Sequence, residues 1–311
     1  MFVLALVSRP PLASIHKPVP TNGPANVVQR EVEVQGPAPA GHDLLHVWPV
    51  VRISGDAVGP RLDRPATATY TLPMTPERFA KGMTFDGYVK FTGSPANLGR
   101  EGFDIRRFSL VRPRVDWSGF LRERHAKARL TDEQTAAIKW LAAQPGGPAK
   151  ILVLSEDWSS DCRRDVPYLA RLAEAGGLEL RIFVRDADTM LRNGLPDPGS
   201  HDNADLVLHY ANEKNGQRWA SIPVAVFFTK DFVELYRYVE YPAVYRKDRV
   251  IGHLRAPRAG ETEEESKARS GRDIAALLDS PFVDVWAGAG IAEILSALHE
   301  LRLSSRTATG T

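Results

Sequence analysis

The chain holds a single thiol, Cys162, in the run Glu156-Asp157-Trp158-Ser159-Ser160-Asp161-Cys162. A continuous apolar stretch, Lys150–Ser155, precedes this run, and a helical pattern from about Ser160 to Ala175, with Pro167 inside it, follows. The chemistry therefore sits at a strand-to-helix turn. Free amides and the positive end of the helix dipole gather there and favour a thiolate. A cysteine at the first site of such a turn can have its pKa drawn from about 8.5 to about 7 or lower. Serine at that site does not ionise near neutrality and is a favoured N-cap. One turn deeper, a buried cysteine behaves as a small apolar residue with a raised pKa. Cys162 thus has two readings: a packed core thiol, or a reactive thiol carrying a mixed disulfide or glutathione adduct. Ser159 likewise reads as a helix cap or as a hydroxyl that bonds a bound thiolate. Trp158 is a packing residue or a platform beside a partner's thiol. Glu156 and Asp157 read as solvated loop acids, and Arg163 and Arg164 as an exposed helix face.

The elements that would position this turn are legible from pattern. Thr75, with proline next and then Glu77, opens a helical segment to about Val89. Residues 93–113 are rich in Gly, Pro and Arg and read as an inserted loop. Thr131 and Gln134 form a capping box for a helix to Ala143, with Ile138, Leu141 and Ala142 on its apolar face. The run Ile151–Leu154 suits a strand covered on both faces. Leu178–Val184 reads as a second strand, Ala204–Ala211 as a short helix, and Pro223–Thr229 and Phe232–Val239 as a hairpin about Lys230-Asp231. The order is β-α-β-α-β-β. Charged Glu261–Arg269 follows, then helical Asp273–Leu278. Gly288-Ala289-Gly290 reads as a turn before a last helix, Ile291–Leu303, and Ser304–Thr311 as a tail.

Taken together, these motifs resemble the thioredoxin superfamily. Cys162 and Pro167 match the spacing of the second motif cysteine and the helix proline, and Trp158 matches the tryptophan before the first cysteine. The run is similar to the Glu-x-Trp-Cys-x-Asp-Cys signature of bacterial thioredoxin family proteins. Gly82-Met83-Thr84-Phe85 with Tyr88 echoes their helical N-terminal segment, and Arg185-Asp186-Ala187-Asp188 echoes the end of their second strand. Ser221-Ile222-Pro223 resembles the cis-proline motif. The resemblance covers about residues 75–245 and implies an α/β thioredoxin-like fold, a central mixed sheet flanked by helices. The implied organisation is an extended, Pro-rich region at 1–73, a helical segment at 74–147, a thioredoxin-like domain at 148–303 and a tail at 304–311. It also implies that Ser159 stands where the nucleophilic cysteine belongs. The expected site is Ser159 and Cys162, with Trp158, Ser160, Asp161, Ile222 and Pro223 contacting a protein or small-thiol partner. The function expected is such binding without dithiol turnover. The alternatives are a one-cysteine thiol transferase using Cys162 with glutathione or another thiol, and a non-catalytic interaction module. No cofactor is expected beyond such a thiol. A glutathione transferase is disfavoured, because about 70 residues follow the fourth strand, too few for that family's helical domain.

Composition narrows the remaining classes. The 40 basic and 38 acidic residues leave a net charge of +2, which gives no overall attraction for nucleic acid or anionic lipid. The Arg-rich stretch Arg106–Arg124, with Phe108, Trp117 and Phe120, reads as a solvated loop with anchoring aromatics. No run of 18 apolar residues is seen and no spanning helix is expected. With one cysteine and no secretory pattern at Met1–Ala13, a cytoplasmic location is expected. Residues 1–73 hold 11 of the 23 prolines, so they are expected to add little to a core. His42 and His46 have helical metal-ligand spacing in that region, but no metal site is expected.

Overall fold

The computed structural model describes residues 74–100, 114–186 and 195–308, with side chains as far as Arg302. The expectations for residues 1–73, for His42 and His46, for Arg106, Phe108, Ala187 and Asp188, and for the last three residues lie outside these. In chain order the first helices are α1 (Pro76–Ala80), α2 (Phe85–Thr92), α3 (Pro95–Leu98), α4 (Ser118–Lys127) and α5 (Asp132–Ala142). Then come β1 (Lys150–Ser155), α6 (Ser160–Gly176), β2 (Glu179–Val184) and α7 (Ala204–His209). The strands β3 (Asn212–Lys214), β4 (Gln217–Trp219), β5 (Val224–Phe228) and β6 (Glu234–Val239) follow. A 3-10 turn at Ala243–Tyr245 leads to α8 (Lys247–Arg255), α9 (Glu263–Leu278) and α10 (Phe282–Ala308).

The main sheet has the order β2-β1-β5-β6. β1 runs parallel to β2 and antiparallel to β5, and β6 is antiparallel to β5. Ile151, Leu152, Val153 and Leu154 are all buried, as a strand covered on both faces requires. Helices α5, α6 and α10 pack with the sheet into a core that includes Ile138, Val166, Leu169, Leu172, Ile294 and Phe227. Phe79, Tyr88 and Val89 from the N-terminal helices enter the same core. This is a mixed α/β architecture of the thioredoxin-like kind.

Local chemistry explains most element ends. The Thr75 hydroxyl accepts from the Arg78 amide with Pro76 in the first turn, and Thr131 and Gln134 complete a capping box. The helical pattern expected from Thr75 to Val89 is broken in two, because the sheet claims Met83. The Met83 amide donates to the Ile182 carbonyl at 2.8 Å, and the Ile182 amide donates back at 2.7 Å. Gly82 permits this approach, since a Cβ there would lie 2.6 Å from the Phe183 ring.

Three further expectations are corrected. The hairpin β3–β4 was not foreseen, although Asn215 and Gly216 both have positive φ (54° and 72°), the type I′ pair that joins short strands. Helix α9 starts at Glu263, where Thr262 and Glu265 form a capping box, so most of the charged stretch is helical. Gly288-Ala289-Gly290 lies inside α10 and makes no turn. A Cβ at Gly290 would sit 2.9 Å from the Tyr238 hydroxyl oxygen, so glycine serves helix-to-sheet packing here. Within α10, Phe282–Arg302 is long and apolar enough, by length and composition only, to cross a bilayer, although charged residues such as Asp284 and Glu293 interrupt it. Its Ala287, Ile291, Ile294, Leu295 and Leu298 pack into the core.

Candidate functional site

β1 and β2 end at the same edge of the sheet, with Ser155 in register with Val184. β5 begins there from the opposite direction, because Leu154 pairs with Val224. Pro223 is thus brought level with Ser155, and the Ile222–Pro223 peptide is cis. One edge therefore gathers the loop 156–159, Arg185-Asp186 and Ile222-Pro223. Parallel strand ends followed by a helix N-terminus are the usual place for a site in α/β proteins.

Ser159 is the N-cap of α6, and its hydroxyl accepts from the Cys162 amide at 3.4 Å. Cys162, at the third helical position, is 1% exposed. Burial pushes its thiol up to about 12, although the Ser155 hydroxyl, the Glu156 backbone and the Ser159 hydroxyl all favour the thiolate. At neutral pH the thiol therefore holds its proton. Beneath it the Tyr88 hydroxyl lies 3.0 Å from the Ser155 hydroxyl. Burial first, and then Cys162, holds the Tyr88 phenol well above its ordinary range.

The other expected residues are placed as follows. Trp158 is half-buried, and its indole N–H donates to Asp186 at 2.8 Å. Ser160 is half-exposed, while Ile222 and Pro223 are buried. Asp161 is buried and paired with Arg164 at 2.8 Å and with Lys247. Arg164 is not on an exposed face as expected. It is buried with Asp165, which also accepts from the Tyr238 hydroxyl at 3.0 Å. Arg163 lies across the Trp117 ring, 3.8 Å from its centroid, and donates to the Asp157 and Trp158 carbonyls.

The expectation that Glu156 and Asp157 are solvated is overturned, because both are buried. Arg114, which opens the run into α4, donates to Glu156 at 3.0 Å, to Asp157 at 2.6 Å and to Asp186 at 3.2 Å. Its side chain is 1% exposed, so this part of the Arg-rich stretch is no solvated loop. Arg100 reaches Glu156 at 2.8 Å, Arg185 reaches Asp186 at 2.7 Å, and the Asn97 amide donates to Asp157 at 2.9 Å. Burial works against the charge on Arg114, but the three carboxylates together raise its pKa. Burial, with Asp186 beside it, pushes Glu156 upward. Asp186 is lowered: burial opposes its ionisation, but Arg185, the Trp158 indole and Arg114 outweigh that. Asn97, Arg100 and Arg114 were missed because nothing local in the sequence marks an arginine whose partners lie some 40 to 70 positions away. The acids before Trp158 were the only available hint. Among the described residues no cluster of His, Cys, Asp and Glu is arranged to hold a metal.

Residues 120–251 match a family model described as Thioredoxin. Among solved structures, one similar chain is a protein of unknown function from Pseudomonas aeruginosa. It is 15% identical, with 71% of this chain and 95% of that one covered and a TM-score of 0.39. Another is an HIV epitope scaffold, 16% identical, with 72% and 96% covered and a TM-score of 0.38. No curated protein matches the chain. The family match, with the mixed sheet and its motif at the β1-to-α6 turn, places residues 120–251 of this chain in the thioredoxin superfamily.

Proposed function

We propose that the protein binds a protein segment or a thiol compound at the edge formed by Trp158, Ser159, Ser160 and Ile222-Pro223, and does so without dithiol turnover. The observation that carries this reading is the buried thiol of Cys162, 1% exposed and pushed up to about 12, behind a serine in the nucleophile's place. A dithiol cycle needs an accessible thiolate to attack and a second to resolve. Here the first group is a hydroxyl that caps a helix, and the second is shielded. Trp158 supports a binding role. Its indole is fixed by Asp186 and faced by Arg185, 5.2 Å from the ring, which leaves a rigid, half-exposed aromatic surface beside Ser160. Fixed aromatic surfaces of this kind often anchor interfaces.

Restoring the missing thiol is the direct test. Positions 159 and 162 are the N-cap and third residue of one helix, whose side chains face each other across the first turn. Wild type is expected to show no insulin reduction with a dithiol donor. Ser159→Cys is expected to lose two hydrogens in mass on oxidation and to gain weak reductase activity. Catalytic turnover by unaltered wild type, or a thiol adduct on Cys162 in protein taken from cells, would replace this reading with the one-cysteine transferase.

A further inference from the structure

Among the described residues, the acids that precede Trp158 sit with Asp186 in a buried network against Arg100, Arg114 and Arg185. Of these cations, Arg114 is the one paired with all three carboxylates among the described residues. Its Nε donates to the Arg100 carbonyl at 3.1 Å. Arg114 therefore sits at the centre of the network. Arg100 approaches from the side, with its side chain 20% exposed, and bonds Glu156 and the Asp186 carbonyl. Both arginines precede the segment matched by the family model and come from the N-terminal helical part of the chain.

The network bears on the thiol through the backbone. Glu156 and Asp157 are the two residues Arg114 grips in the loop, and the Glu156 backbone touches the Cys162 thiol. A buried cation shared by several acids is costly to remove. With it in place, the acids are neutralised away from water. Without it, Asp157 keeps only the Asn97 amide among the described residues and two cations are left for three clustered acids, and relief comes from moving the loop into solvent. We infer that Arg114 is a latch: it holds the loop 156–158 closed over the Cys162 thiol, and its withdrawal exposes that thiol. In this role Arg114 is a positioning residue that couples docking of the N-terminal helical segment to access at the motif. The inference rests on the network and is independent of what the edge binds.

The test reads thiol accessibility and local opening separately. The intact chain and its Arg114→Met variant are alkylated with a maleimide under native conditions, and amide hydrogen exchange is followed at 157–161 and at 224–228. The latch predicts at least tenfold faster alkylation of Cys162 in the variant, with faster exchange at 157–161 and wild-type exchange at the β5 amides. Arg114→Lys keeps the charge but loses the fork that reaches three acids, and is expected to fall between the two. If Arg114→Met does not fold, Arg100→Gln decides, with a smaller rise in alkylation of the same selective kind. Unchanged alkylation overturns the latch. So does alkylation that rises only in step with exchange at 224–228, since that marks global unfolding. Neither outcome bears on whether Ser159→Cys forms its disulfide.

Discussion

Cys162 combines a helix-terminal position, which favours a thiolate, with burial, which opposes it, and burial prevails. Its pKa moves from an ordinary 9.0 to about 12. In the native protein Cys162 should therefore react with a thiol reagent at pH 8 at least 100-fold more slowly than free cysteine, and at the ordinary rate once unfolded. Linkage gives a second consequence. Below about 9 both folded and unfolded chains hold the proton, and the full contribution to stability is present. Between about 9 and about 12 only the unfolded chain releases it, so stability falls as pH rises, by about 1.4 kcal/mol per pH unit for this group. Cys162→Ala should remove that part of the slope. Denaturation midpoints of the two proteins from pH 9 to 11 check it, and parallel curves would sink the assignment. Tyr88 titrates above its ordinary range as well, so the informative quantity is the difference between the two curves.

Among the elements, α10 meets the sheet at a point that only glycine allows. Gly290 faces Tyr238, whose hydroxyl donates to Asp165 in the buried Arg164 cluster of α6. Adding a methyl group at Gly290 should displace the phenol and loosen this bond, at a cost of about 1–3 kcal/mol. In a Tyr238→Phe background the obstructing oxygen is gone, and the next atom lies 3.4 Å from the new Cβ. Gly290→Ala should therefore cost less in that background than in wild type, a coupling that a double-mutant cycle in urea measures. Equal costs in both backgrounds would show that α10 yields at this point by shifting as a whole. Gly82 has the same function at the other edge, where it lets Met83 bond Ile182 beside the Phe183 ring.

For the whole molecule, the N-terminal helices are part of the folded unit that carries the motif. Phe79, Tyr88 and Val89 are buried in the core, Tyr88 reaches Ser155, and Arg100 and Arg114 reach Glu156. A chain that begins at Met74 should keep its melting temperature to within about 2 °C, since the removed residues are Pro-rich and lack sustained periodicity. A chain that begins at Ser118 loses those core aromatics and two cations of the buried ion network, among them the central Arg114. Removal of that cation alone costs about 3–5 kcal/mol. This shorter chain should not fold cooperatively, although it retains all of the segment matched by the family model. Thermal unfolding followed by circular dichroism distinguishes the two chains. A cooperative transition in the shorter one would show that the thioredoxin-like segment stands alone.

Where the determining interactions are short in range, the sequence determined the outcome. The apolar run before Glu156, the capping box at Thr131 and Gln134, and the proline at the start of α1 each act within a few residues, so strand, helix and helix start were legible from type and spacing. So was the N-cap position of Ser159, since a serine before an apolar-periodic run has a local use. The Asn215-Gly216 turn was legible too and was overlooked. Tertiary structure alone decided the properties that depend on what lies across the fold. Cys162 is buried because core packing removes it from water, and Glu156 and Asp157 are buried with Arg114, some 40 positions earlier, paired to them. Position 290 inside α10 holds glycine because Tyr238 occupies the space a side chain would need. Solvation and charge pairing are set by neighbours in space, and a linear pattern carries the local rules of backbone geometry but not the identity of those neighbours.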